Sequence, residues 1–177
     1  MITGVQIANT ALTSDLIGTP YSKLDCQALV EVVLKEAGLN IINYRGSNHM
    51  WRELVYDRQE TSNPDTVVFP GMLAFILKHD GGETKRGYHD TMGNATHVAI
   101  ALGDGRVFES TVGGVQISSI RRFTHVARII DVDYDDIAPG GSSTPTTSTA
   151  EKIDKIIEAL MQIADELEEL KKNADYD

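Results

Sequence analysis

The sequence predicts an α+β domain in which helices pack on an antiparallel β-sheet, and three observations carry that reading. Within residues 1–138, helix-like apolar periodicity comes before Thr66, and short β-rich runs separated by glycine turns follow it. A stretch without large apolar side chains, PGGSSTPTTSTA at 139–150, then closes the body as a linker would. With 177 residues the chain has room for one domain with its own core and an appendage. The expected organisation is a folded domain over 1–138, a linker over 139–150 and a helical tail over 151–177.

The first well-marked helix starts at Asp25, a good N-cap, and runs through CQALVEVVLKEA to Gly38, a good residue for the turn that ends a helix. Leu24 and Leu29 are spaced to staple its entry, and Leu29, Val32, Val33 and Ala37 form an expected core-facing stripe. A second helix is predicted with Asn48 as N-cap before HMWRELVYDRQ, its apolar side formed by Met50, Leu54 and Trp51. The β-rich runs are VVFPGMLAFIL, HVAIAL, RVFEST, VQISSI and HVARIIDVDY. HVAIALGDGRVFES reads as a hairpin, because Gly103-Asp104-Gly105 supplies the positive φ angles of a tight turn. Pairing about Asp104 sets His97 opposite Ser110 or Thr111 and brings Glu109 beside it. In the tail, Ile153, Ile156, Leu160, Ile163, Leu167 and Leu170 are spaced 3, 4, 3, 4 and 3 apart, the pattern of a coiled-coil seam. Such a stripe must be buried, either between copies in a homo-oligomer or by docking on the body.

The composition excludes several functions. A formal net charge of −10 and the lack of a basic stripe argue against a nucleic-acid partner. No apolar run approaches the roughly 20 residues that span a bilayer, and MITGVQIANTALTSDLIG lacks the basic-then-apolar order of a signal peptide. The one cysteine rules out an internal disulfide and a cysteine-rich zinc site. His49, His79, His89 and His125 show no metal-ligand spacing, so no metal site is predicted.

The same cysteine is the chemical focus. Cys26 follows an N-cap, where unpaired backbone N–H groups and the helix dipole favour thiolate. A thiolate nucleophile needs a base and the base needs an orienting partner. His97, opening the HVAIAL strand, is the candidate base, and Glu109 on the returning strand is the candidate partner. Trp51, with Arg52, is a candidate wall for a sugar or peptide, although ordinary core is the favoured reading of Trp51.

Three stretches in order, GTPYSKLDCQALVEVVLKEAG, PGMLAF and THVAIALGDGRVFES followed by GGVQISSI, resemble the NlpC family of papain-like cell-wall cysteine peptidases. The resemblance covers residues 18–120 and implies a papain-like fold. It implies Cys26 as nucleophile, His97 as base and Glu109 as the third residue, with Tyr21 and the Cys26 N–H on the oxyanion side. It also points to Asp25 and Gln27, beside the nucleophile, as substrate contacts. Here Gln27-Ala28 stand where the family commonly has Ser-Gly, Gly71-Met72-Leu73 where it has Gly-Asp-Leu, and Glu109 where it has His, Asn or Gln. Substrate preference is therefore not carried over.

The implied activity is hydrolysis of a peptidoglycan stem-peptide amide through a thioester, with no metal or organic cofactor. The bond after γ-D-glutamate comes first and the muramoyl-L-alanine amide second. Synthesis without a signal peptide, followed by action on the wall after release or within a phage particle, suits a phage or prophage endolysin. The competing readings are a noncatalytic wall-binding or structural module assembled by the coiled coil, and a cytosolic hydrolase of recycled muropeptides.

Overall fold

A computed structural model describes residues 1–78 and 90–134. The linker and heptad tail lie outside the described residues, as do His79 and His89. The predicted α+β class holds for the body. Its elements are β1 (Ile2–Thr3), α1 (Gly4–Thr13), α2 (Cys26–Glu36), α3 (Ser47–Glu53), β2 (Val55–Glu60), β3 (Leu73–Lys78), β4 (Asn94–Ala101), β5 (Arg106–Thr111), β6 (Gly114–Ser119), β7 (His125–Ile129) and β8 (Val132–Asp133). Six strands form an antiparallel sheet in the order β2-β7-β3-β4-β5-β6, and β1 pairs with β8 in parallel.

Helix α2 forms where the cap chemistry places it. Asp25 is extended, with φ −72° and ψ 178°, and its carboxylate accepts from the Ala28 N–H at 2.8 Å. The predicted stripe is rotated, because Leu29, Val30, Val33 and Leu34 are fully buried while Val32 and Ala37 are only half-buried. Val30 and Leu34 widen the stripe into the broad face of a helix that covers a sheet, and α2 does pack on β4 and β5. Complete burial of each of these four side chains contributes about 1.5–3 kcal/mol.

The second helix departs further from expectation. Its N-cap is Gly46, at φ +105°, and Asn48 lies inside the helix and is buried. There Asn48 donates to Asn94 Oδ1 at 2.8 Å and accepts from the Ala95 N–H at 3.1 Å, tying α3 to the start of β4. The helix stops at Glu53, and Val55–Glu60 becomes the edge strand β2. Its ladder with β7 slips between Tyr56 and Gln59, where Asp57 adopts φ +47°. Such a bulge with charged residues protects a sheet edge, and it hides the strand from a search for alternating apolar residues.

Strand β3 begins only at Leu73, so the first half of VVFPGMLAFIL is loop, and HVARIIDVDY is broken by a turn with Asp131 at φ +63°. Helix α1 has no counterpart among the predicted elements. Its signal is a capping box, in which the Gln6 N–H donates to Thr3 Oγ1 at 3.2 Å and the Thr3 N–H to Gln6 Oε1 at 2.8 Å.

The N-terminus of α1 meets the loop before β3 through two glycines. A Cβ on Gly71, at φ +79°, would stand 2.2 Å from the Gly4 carbonyl oxygen and 2.6 Å from its Cα. Both are backbone atoms that cannot swing aside. Gly71→Ala is therefore expected to cost about 3 kcal/mol or more, from steric overlap plus the left-handed φ. Thermal unfolding should show a fall in Tm of about 10 °C; an unchanged Tm would show that the two backbones can separate freely.

Candidate active site

The candidate site forms where a β-hairpin opens. Strands β4 and β5 pair only at Ile100↔Phe108 and Ala101↔Val107, next to their turn. Beyond Ile100 the two strands separate, although β4 stays paired with β3 as far as Asn94. The ladder does not extend to His97 and Ser110 or Thr111 as the sequence register predicts, because the start of α2 enters the fork. The Ser110 hydroxyl donates to the Leu24 carbonyl at 2.5 Å, and the Val98 N–H lies near enough to the Cys26 sulfur to favour its thiolate. The side chain of Ser110 on β5 thus serves the helix entry, and the main chain of Val98 on β4 faces the thiol.

Cys26 is the first residue of α2 and is 7% exposed. Its sulfur receives the Tyr21 hydroxyl at 3.8 Å, and the His97 imidazole stands beside it, close enough to favour the thiolate. Burial pushes the thiol pKa up. The His97 hydrogen bond and charge, the Tyr21 hydroxyl and the Val98 N–H together outweigh it and hold the pKa below the usual thiol value. Tyr21 sits in a turn in which the Lys23 and Leu24 N–H groups donate to the Pro20 carbonyl. The preceding Gly18 and Thr19 pair with Val115 of β6, which anchors that turn to the sheet. Burial, reinforced by the neighbouring Cys26, raises the Tyr21 pKa to about 12, so the phenol remains a hydrogen-bond donor throughout the neutral range.

His97 Nε2 lies 2.8 Å from Glu109 Oε2. With that nitrogen engaged, Nδ1 is the one left for the sulfur. Burial lowers the imidazole pKa, but hydrogen bonds to Cys26 and Glu109 and the charges of both raise it to about 9. Cys26, His97 and Glu109 thus form one connected line from helix to hairpin, and Tyr21 joins it at the sulfur.

Glu109 is fully buried. Its carboxylate accepts from His97, from the Ser118 hydroxyl and from the Arg122 guanidinium. Burial raises its pKa, yet the His97 and Ser118 hydrogen bonds and the Arg122 charge bring it below the ordinary carboxylate value. Ser118 and Arg122 have no role in the sequence reading. Ser118 was accessible to it: with Val107↔Ser118 and Glu109↔Gln116 paired across the Gly113-Gly114 turn, Ser118 is the diagonal neighbour of Glu109.

The three expected substrate contacts are placed differently. Asp25 is exposed, and its carboxylate caps the helix. Gln27 is committed within the protein: it donates to Glu31 at 2.7 Å and to the Tyr44 carbonyl at 2.8 Å, and accepts from the Gly46 N–H at 2.8 Å. It braces the loop that leads into α3, a task a serine is too short to perform. Trp51 is 2% exposed, with its indole N–H donating to the Met92 carbonyl at 2.9 Å and its ring packed edge-on against Phe75. A side chain so enclosed is core and not a substrate wall. Among the described residues, no group of three or more His, Cys, Asp and Glu side chains could hold a metal ion, and no helix is long and apolar enough to cross a membrane.

No family model matches the sequence, and no curated protein matches it. Solved structures do. The crystal structure of the NlpC/p60 domain of the peptidoglycan hydrolase SagA superposes with a TM-score of 0.51 at 22% identity, covering 72% of this chain and 99% of that domain. An NlpC/P60 family protein from Bacillus cereus ATCC 10987 superposes with a TM-score of 0.50 at 23% identity, over 71% of this chain and 40% of that one. The chain therefore spans less than half of the Bacillus cereus protein. The fold of the body is that of NlpC/p60 domains, in agreement with the sequence resemblance.

Proposed function

We propose that this chain is an NlpC/p60-type cysteine peptidase that hydrolyses an amide bond in the peptide of bacterial cell walls. The observation that carries the reading is the line Cys26–His97–Glu109, assembled at the N-terminus of α2. An inert buried thiol has no use for an imidazole on its sulfur and a buried carboxylate behind the imidazole. The fold shared with a domain of a peptidoglycan hydrolase supports the substrate class.

In the proposed reaction the Cys26 thiolate attacks the carbonyl carbon, and the oxyanion forms beside the Cys26 N–H and the Tyr21 hydroxyl. The His97 imidazolium gives its proton to the leaving amine. Neutral His97 then takes a proton from water, whose oxygen attacks the thioester and releases the thiolate and the acid. The bond after γ-D-glutamate is the first candidate and the muramoyl-L-alanine amide the second. We assign the protein the role of a phage or prophage endolysin and give residues 151–177 the role of joining copies.

The reading is tested by incubating the protein with sacculi of several stem-peptide types and identifying the released fragments by mass spectrometry. New termini at one amide bond support it, and the mass of those termini names the bond; no release from any wall type removes it. Tyr21→Phe deletes one oxyanion-side donor and should lower kcat by about 10–10² fold with little change in KM. Unaltered kcat in steady-state assays on a soluble muropeptide would take Tyr21 out of the mechanism.

A further inference from the structure

A buried carboxylate behind an imidazole does more than hold it in place. Acting alone, its charge stabilises the imidazolium and makes the ring slow to release a proton. A cysteine peptidase needs the opposite ability as well, since the ring must protonate the leaving amine and then act in its neutral form on water. In this chain the group behind the imidazole is the carboxylate of Glu109, fully buried.

Glu109 Oε2 is shared between two cationic groups. It receives His97 Nε2 at 2.8 Å and, from the short turn Ile120–Arg122 after β6, the Arg122 guanidinium. The other oxygen accepts the Ser118 hydroxyl. The Arg122 guanidinium also lies over the Phe123 ring at 5.1 Å, and that ring is 5.7 Å from the His97 imidazole. One turn therefore supplies both an aromatic neighbour for the imidazole and a counter-charge for the group that orients it.

We propose that Arg122 is a positioning residue for His97: by pairing with Glu109 it offsets the carboxylate charge, so that Glu109 fixes the imidazole without trapping its proton. The proposal rests on the reading of Cys26 and His97 as a catalytic pair. The polar and charged groups on His97 are Cys26 from α2, with Tyr21 on the same sulfur, and Glu109 from β5. Ser118 from β6 and Arg122 act through Glu109. Of these, Arg122 alone adds positive charge. Its side chain is 48% exposed, so its influence is screened and its replacement opens no buried cavity.

The test is an NMR titration of the His97 imidazole in the full-length chain, in a Cys26→Ala background so that no thiol titrates alongside it. Arg122→Gln should move the His97 midpoint upward by about one pH unit, because a unit charge one oxygen away is removed. Arg122→Lys, which keeps the charge, should leave the midpoint within a few tenths of a unit. The proposal is overturned if Arg122→Gln produces no rise, or if Arg122→Lys moves the midpoint as far as Arg122→Gln does. Should the glutamine variant not fold, the lysine variant decides alone, since any rise approaching one unit there contradicts a role based on charge. The titration uses no substrate, so its outcome is independent of whether the protein releases wall fragments.

Discussion

Replacing Cys26 with alanine should abolish wall-peptide hydrolysis, by at least about 10⁴-fold in kcat, while the protein remains folded. The change removes one sulfur at the edge of the core. It leaves Leu29, Val30, Val33 and Leu34, which hold α2 on the sheet, untouched. Cys26→Ser retains a hydrogen-bonding atom but not a group that ionises near neutral pH, and it should still lose about 10³-fold. The nucleophile assignment also predicts a pH profile. The thiol pKa is lowered chiefly by the His97 hydrogen bond and charge, against the opposing effect of burial, and the imidazole is raised to about 9. The thiolate–imidazolium pair therefore forms as pH rises through the lowered thiol value and is lost as pH passes about 9. kcat/KM on a soluble muropeptide should rise on the acid side and fall on the alkaline side near 9. Activity persisting in the alanine variant, or a profile with no alkaline limb, would contradict the assignment.

The second large effect is expected at Glu109, in both stability and rate. Glu109→Ala deletes a fully buried carboxylate and leaves three donors without it: the His97 ring, the Ser118 hydroxyl and the Arg122 guanidinium. Arg122 can turn to water, whereas the side chain of His97 is only 14% exposed. The cost should be about 2–3 kcal/mol, below that of breaking a wholly enclosed ion pair. Loss of the orienting bond should lower kcat by about 10²–10³ fold. Glu109→Gln keeps shape and hydrogen bonding and should recover most of the stability. Calorimetry together with kinetics on the two variants separates the terms; equal Tm values for the alanine variant and the parent would deny the carboxylate any structural share.

The two ends of the line have opposite pH signatures in stability. Glu109 has a lowered pKa, so its contribution is present above the ordinary carboxylate value of 4.5 and is lost as pH falls through the lowered one. His97 has a raised pKa, so its contribution is full below the ordinary 6.5 and is lost as pH rises through about 9.

What is legible in the sequence is what local chemistry dictates. Asp25 caps and Gly38 ends a helix through bonds to residues a few positions away, so the position of Cys26 at a helix start follows from a short window. The 103–105 turn likewise dictates a hairpin that brings His97 and Glu109 together. The illegible parts depend on partners far along the chain. Asn48 has the chemistry of a cap, but Asn94 and Ala95 claim its side chain, and Gly46 takes the cap position. Gln27 beside the nucleophile reads as a substrate contact until the loop at Tyr44–Gly46 is seen to occupy it. Arg122 lies in a three-residue turn without periodicity, and its partner is identified only once β5 and β6 are paired.

The opened hairpin also bears on when the proposed site can form during synthesis. The thiol leaves the ribosome long before His97 and the strand that carries Glu109, and the fork that receives α2 cannot exist until β4 and β5 have both been made. A truncated or half-synthesised chain thus carries the reactive atom without the neighbours that activate it. Non-local pairings of this kind form late, so the onset of activity should coincide with completion of the sheet, and nascent fragments that end before Arg122 should be inert.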